Sequence, residues 1–172
     1  LLALALLLFL HVDDALDDLL SHITVQDYDL IYATSYGFRQ DWNAERQSDP
    51  FHRRSHTITS ARQFTRVVNI MFTFISGIIV NKQRLEEIPH EDPSEFLGTF
   101  LIQLSWALPL LRRHRRSLVL WERPVAARQG NTGGYAIGNV FGGTLTQVMA
   151  RCLPDRPQLA ACITNFALRR WF

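Results

Sequence analysis

VVNIMFTFISGIIV, Val67 to Val80, followed by FLGTFLIQLSWALPLL, Phe96 to Leu111, is the part of the chain on which the fold turns. Ser60-Ala61-Arg62-Gln63 has the spacing of a capping box, so the first run reads as a long buried helix ending before Asn81-Lys82. Asp92-Pro93-Ser94-Glu95 supplies a second start signal: Asp can cap, Pro suits the first helical position, and Glu can reach back to the cap. The second run is then helix over residues 93–108, with Pro109 kinking or ending it. Both runs are apolar around most of their circumference, which a helix tolerates only when enclosed. Phe72, Phe74, Ile78, Phe100, Leu104 and Leu108 are therefore expected to be largely buried in one core.

The runs hold 14 and 16 residues, and a membrane span needs about 20. Central helices of a packed bundle are the preferred reading, although Arg112 to Arg116 would suit a cytoplasmic flank and keep a membrane-associated helical hairpin as a third possibility.

Outward from this core, Val12, Leu16, Leu19 and Leu20 recur at spacings of three and four opposite Asp13, Asp14, Asp17 and Asp18, the pattern of an amphipathic helix. Tyr28, Ile31, Tyr32, Tyr36 and Trp42 place a second helix over residues 27–46, broken near Gly37, before a loop beginning at Ser48-Asp49-Pro50. Leu118-Val119-Leu120-Trp121 is compatible with a strand or with the end of a helix, and Pro124 closes it. Gly130 to Gly143 holds six of the nine glycines and reads as the one long loop. A helix from about Thr144, a turn at Pro154 and Pro157, and a last helix from about Gln158 complete an all-α bundle of five to seven helices. The chain opens inside the apolar run Leu1 to Leu10 without an initiator Met, which predicts a piece of a larger protein.

With 47% hydrophobic residues, the chain can bury a core and is not a disordered polymer. Its charge is uneven. Residues 1–51 carry nine acids against Arg39 and Arg46, an acidic helical segment, whereas residues 52–172 carry sixteen basic residues against seven acids. Either the two parts face each other, or the arginine-rich part meets an acidic partner such as nucleic acid. Cys152 and Cys162 are too few for a disulfide scaffold or a zinc site, so an intracellular, reducing compartment is the default.

Arg112-Arg113-His114-Arg115-Arg116, with Arg123 and Arg128 after it, is the densest charge in the chain. It is read as a phosphate- or partner-binding cluster, with a localisation signal or a solvated helix end as the alternatives. His52 and His56 lie four apart, a spacing a metal could use on a helix. Their arginine neighbours and expected loop setting point to solvated side chains, so no metal and no cofactor is expected. No nucleophile and base pair can be assembled either, so an independent enzyme is not expected.

The glycine-rich stretch matches neither a Walker loop nor a dinucleotide fingerprint. It leads into Thr144-Leu145-Thr146-Gln147, where Thr144 and Gln147 have capping-box spacing and Thr146 would present a hydroxyl beside free helix N–H groups. Gly142-Gly143 followed by Thr146-Gln147-Val148-Met149-Ala150-Arg151 resembles the priming motif of the adenovirus preterminal proteins. In that family a double glycine precedes a Ser-Gln-Leu-Met-Ala-Arg run whose serine hydroxyl accepts the first nucleotide. Thr146 falls on that serine. Here threonine replaces serine, valine replaces leucine, and the spacer is two residues where the family has four. The resemblance implies a protein primer of viral DNA replication, with Thr146 as nucleotide acceptor, a partner DNA polymerase doing the chemistry, and a host nucleus or virion as setting. The competing expectation is a structural or assembly protein of a virus or large complex, whose partners are protein subunits.

Overall fold

The computed structural model describes residues 15–40, 54–128 and 136–171. Expectations that rest on Leu1 to Leu10, on Asp13 and Asp14, on Trp42, the Ser48-Asp49-Pro50 loop and His52, or on Gly130, Gly133 and Gly134 lie outside the described residues.

The chain is α/β, not an all-α bundle. In order, helix α1 spans Ala15–Val25, strand β1 Leu30–Phe38, β2 His56–Ile58, helix α2 Ala61–Val68, β3 Ile78–Val80, α3 Lys82–Glu86, α4 Leu104–Arg112, β4 Ser117–Arg128, α5 Leu145–Cys152 and α6 Pro157–Trp171. The strands form one mixed sheet in the order β2-β4-β1-β3. Its central pair, β1 and β4, runs parallel from Leu30 against Ser117, while β3 and β2 flank it antiparallel.

Within the segment expected as a helix over 27–46, residues 30–38 form β1, a strand buried on both faces. Leu30 and Tyr32 join the larger core, and Ile31 and Ala33 join the smaller one on the opposite face. A central strand covered on both sides loses its apolar and polar alternation, which removes the sequence signal that separates strand from helix.

The run at 67–80 is not one helix. Ser60 does cap α2, its Oγ accepting from Gln63 N at 3.3 Å, but α2 ends at Val68. Asn69 then takes φ 45°, and its Oδ1 accepts from the next amide, Ile70 N, at 2.6 Å. Asn is one of the few side chains that tolerates this left-handed backbone. Two 3₁₀ turns follow, Asn69–Thr73 and Ile75–Gly77, and the β-branched Ile78-Ile79-Val80 pair with Tyr32, Ile31 and Leu30 as β3. The second run also divides. Asp92 accepts from Ser94 N at 2.8 Å, but the turn it caps stops at Phe96. Gly98 at φ 79° and Phe100 at φ 62° interrupt the chain before α4 begins. Pro109 lies inside α4, which continues to Arg112.

Phe72, Leu104 and Leu108 are buried as expected, in a core where Phe64, Phe96, Leu111 and Leu145 also have almost no exposure. Phe74 and Ile78 are only half-buried, and Phe100 is 65% exposed. This larger core fills the space between one sheet face and α2, α4, α5 and α6, whereas Leu19 and Ile23 of α1 cover the other face. Burying a large apolar side chain contributes roughly 1.5–3 kcal/mol, so the larger core is the main stabilising term of the molecule. Among the described residues no helix is long and apolar enough to cross a membrane.

Pro124 does not close β4. The register jumps from Ala33 opposite Leu120 to Ser35 opposite Val125, so residues 121–124 bulge out of the ladder. A bulge is where a strand can hold a residue without an N–H. Arg123 takes φ 52° there, and Thr34 Oγ1 donates to Leu120 O at 2.7 Å across the gap.

Candidate functional site

Two regions carry the residues singled out in the sequence. The first is the arginine run at the end of α4. The turn from α4 into β4 sends its side chains in different directions, and their uses differ accordingly. Arg112 Nε lies 2.5 Å from Asp155 Oδ1, and that guanidinium holds the Asp155 carboxyl below its usual range. Arg115 is drawn to the start of β1. Its backbone N donates to Asp29 Oδ2 at 2.5 Å and its Nε to Oδ1 at 3.2 Å, while Nη2 reaches Asp27 Oδ2 at 3.3 Å.

Asp29 is 1% exposed and also accepts from Arg116 N at 3.2 Å. Its own backbone joins the ends of three strands, Asp29 N donating to Arg116 O and Asn81 N donating to Asp29 O. Asn81 Nδ2 further donates to Asp27 Oδ1 at 2.6 Å. A buried carboxylate satisfied this fully ties elements together. A cleft of about 190 Å³ opens beside it against Ile23, Ile31 and Ile79, but the carboxylate and amide at its mouth, Asp27 and Asn81, are already committed to each other.

Of the phosphate-binding set read from the sequence, Arg112 and Arg115 are thus engaged by carboxylates. Arg123 is half-buried in the bulge and has a partner, and Arg128 is exposed at the end of β4. Arg113 and Arg116 have no ion pair among the described residues. Two further exposed arginines lie on α2, on its face opposite Phe64. Ile58 pairs with Ser117 at the β2 and β4 edge, so Arg116 sits beside the entry to α2, and α2 exposes Arg62 and Arg66, also without an ion pair among the described residues. The signal available in the sequence was their spacing of four around the apolar Phe64, which puts them on the face opposite the core.

His114 locks this corner. Its ring stacks on Phe64 at 5.9 Å, Nε2 lies 2.9 Å from Ser117 Oγ, and Nδ1 is buried without a hydrogen bond. Burial lowers its pKa against the opposing pull of Asp29 and the Thr59 carbonyl. His56, expected as a solvated loop residue, is on β2. It stacks on Trp121 at 6.4 Å and accepts from Trp121 Nε1 at 3.3 Å. Among the described residues no three His, Cys, Asp or Glu side chains gather as a metal set.

The second region is the glycine-flanked threonine. The described part of the expected loop is helical. A π-helix over Gly138–Thr144 runs directly into α5, with Leu145 N bonded to Val140 O. Thr144 has helical φ and ψ and caps nothing, so the capping box with Gln147 does not form, and α5 has no free N–H end of the kind an anion would use. Thr146 is exposed on the first turn of α5, its Oγ1 donating to Gly142 O at 3.1 Å. A Cβ on Gly142 or Gly143 would meet nothing within 4 Å, and neither residue has a left-handed φ. On the opposite face, Val148 and Met149 are buried. Further along, Arg151 pairs with Glu91 at 2.7 Å and with Glu95, and its guanidinium lies over the Phe96 ring. No protein-family model matches the chain, and no curated protein or solved structure is significantly similar to it.

Proposed function

We propose that this chain is the nucleotide-accepting component of a protein-primed DNA replication system, with Thr146 as the acceptor. The observation that carries the reading is the exposed Thr146 hydroxyl immediately after a π-wound turn holding two exposed glycines that neither packing nor backbone geometry requires. Each glycine weakens a helix by roughly 1 kcal/mol relative to alanine, and π turns concentrate at functional sites. The turn that holds Oγ1 on Gly142 O is therefore easy to open, while Val148 and Met149 keep the rest of α5 anchored. The resemblance of residues 142–151 to the preterminal priming motif supports the same assignment.

In the reaction, Thr146 Oγ attacks the α-phosphorus of a deoxynucleoside triphosphate. A phosphodiester bond to threonine forms, the bond to pyrophosphate breaks, and the hydroxyl proton passes to a base of the polymerase. The divalent metal ions belong to that polymerase, so the threonine needs reach more than intrinsic reactivity. The test incubates the chain with its cognate DNA polymerase and labelled deoxynucleotide. Label should attach to wild type, Thr144→Ala and Thr146→Ser but not to Thr146→Ala. Labelling that survives Thr146→Ala ends the proposal.

A second reading is an assembly module that docks protein subunits. It is favoured by Leu97 and Phe100, which stand 69% and 65% exposed on the loop around Gly98. Under that reading Leu97→Ser with Phe100→Ser abolishes association while Thr146→Ala changes nothing.

A further inference from the structure

We infer that the outer edge of β3 and the cleft beside it form a docking site for an extended peptide segment of a partner protein, which joins the sheet as an added antiparallel strand and sets a large apolar side chain in the cleft. This goes beyond the assignment of Thr146 and does not depend on it.

The first observation is the orientation of the β3 main chain. Asn81 N donates to Asp29 O at 3.1 Å, so across the trans peptide before it the Val80 carbonyl points away from β1. Residues 78–80 are extended, Ile78 at φ −116° and ψ 124°. In such a strand the N–H and C=O of one residue share a side, and successive residues alternate. Ile79 therefore faces its partner Ile31, and the amides and carbonyls of Ile78 and Val80 face outward. Among the described residues no strand lies beyond β3, and none outside the sheet hydrogen-bonds to these groups. Donors and acceptors repeated two residues apart, about 7 Å, are complementary to the alternating partial charges of another extended main chain. The sequence Ile-Ile-Val also lacks the charge or proline that blunts an exposed edge.

The second observation is the cleft of about 190 Å³. It is lined by the end of α1 and the turn after it, by Ile31, and by the chain from Ile79 to Gln83, and no described residue beyond β3 closes it. Ile23, Ile31 and Ile79 make its floor apolar, on the sheet face that α1 covers, while Asp27 and Asn81 hold each other at the rim. A cavity of about 150 Å³ accommodates benzene, so a phenylalanine or leucine side chain fits. Register delivers it there. In an added antiparallel strand the residue opposite Ile79 shares the face of Ile79, while the residues on either side of it bond to Ile78 and Val80. A second copy of this chain fits less well: the side chain opposite Ile79 would be the other Ile79, which already forms the floor of its own cleft. A three-residue edge also buries far less than the roughly 1,200 Å² of a stable dimer.

The test uses the full chain and a probe, fluorescein-labelled Gly-Gln-Thr-Val-Phe-Val-Thr-Gln-amide, read by anisotropy. Replacing its phenylalanine by alanine should weaken binding about tenfold or more. N-methylation of the valine that follows, whose N–H faces β3, should weaken it about fivefold or more, whereas N-methylation of the phenylalanine, whose N–H faces away, should leave it unchanged. Val80→Pro removes an outward donor that β1 does not use and should weaken binding about tenfold with the urea midpoint kept. Amide hydrogen exchange of the wild type decides independently of how that variant folds. In the free chain Ile78 and Val80 should exchange fast and Ile79 slowly, and the probe should slow the first two about tenfold or more. Failure of the probe to bind at about 1 mM, equal losses from the two N-methyl positions, or Ile78 and Val80 amides as protected as that of Ile79 before peptide is added overturns the site. Protection of those amides that rises with protein concentration assigns the edge to a second copy and overturns the peptide.

Discussion

Replacing Asp29 by alanine tests whether the corner where β1, β3 and β4 meet is the mechanical centre of the fold. The carboxylate is buried and accepts from Arg115 N and Arg116 N as well as Arg115 Nε. Alanine leaves both amides without that acceptor and takes one of two carboxylates from the guanidinium. Each buried donor left unsatisfied costs about 1–3 kcal/mol. Removing one partner of a buried charge network costs roughly 3–5 kcal/mol in total. Set against an overall stability of about 5–15 kcal/mol, Asp29→Ala should shift the urea midpoint far enough to leave the protein marginal. Asp29→Asn keeps one carbonyl oxygen for the amides but turns an NH₂ toward Arg115, and should lose about half as much. Asp27, whose side chain is 67% exposed in its pair with Arg115, supplies the control, since an exposed pair is worth about 0–1 kcal/mol. Tryptophan fluorescence followed through a urea titration reads all three variants. If Asp29→Ala lost less than about 1 kcal/mol, or no more than Asp27→Ala, the network would be decoration on a sheet held by its cores alone.

His114 makes stability fall with acid. Its pKa is lowered from 6.5 in the folded chain by burial, so the fold favours the neutral ring. The contribution is fully present above pH 6.5, and it is lost as pH falls below that value through the folded pKa. The slope of unfolding free energy between pH 7 and about 5.5 should shrink in His114→Phe, which keeps a ring on Phe64; an unchanged slope would place the titrating group elsewhere. Cys152 is buried, and its thiol is pushed up to about 11 by desolvation, with Glu91 adding to the effect. At pH 8 it should react with a disulfide reagent at least about a hundredfold slower than a free thiol of ordinary pKa. Two thiols titrating together at the free rate in the native protein would contradict this.

The parts of this architecture that sequence reveals are those decided locally. Ser60 caps α2 because a hydroxyl three residues before an amide is a local geometry, and the last helix starts at its proline for the same reason. The sheet is legible only in part. Leu118 to Trp121 carries β-compatible residues, but β1 has the same composition as a buried helix once both of its faces are covered. The run at 67–80 misleads for another reason. Its apolar residues are continuous in sequence but are divided in space between a helix end, two 3₁₀ turns and an edge strand. The residue that divides them, Asn69, is an ordinary polar interruption until its φ is known. Likewise Phe100 reads as core because it lies in an apolar run, and is exposed because Gly98 and its own left-handed backbone turn it outward.

Charge is misread by the same mechanism. Five consecutive residues at a helix end look like one surface, yet the chain leaves α4 and enters β4 within them, and successive side chains meet different neighbours. Arg115 has to be where it is because Asp29 is buried: a carboxylate removed from water demands donors, and the turn supplies two amides and a guanidinium at once. The arginines left over are the ones that the buried acid does not recruit. Which cations remain for a partner is therefore set in part by an aspartate more than eighty residues earlier in the chain, with Asp155 taking Arg112. If that reasoning holds, removing carboxylates should not merely destabilise the fold. Asp29→Ala alone leaves Arg115 its exposed pair with Asp27; at temperatures where the variant remains folded, adding Asp27→Ala should free Arg115 for solvent and raise the salt slope of polyanion binding by up to about 0.7, the increment of one added phosphate contact. A fall in the slope at full folding would mean that Asp29 orders the binding surface rather than competing for its cations.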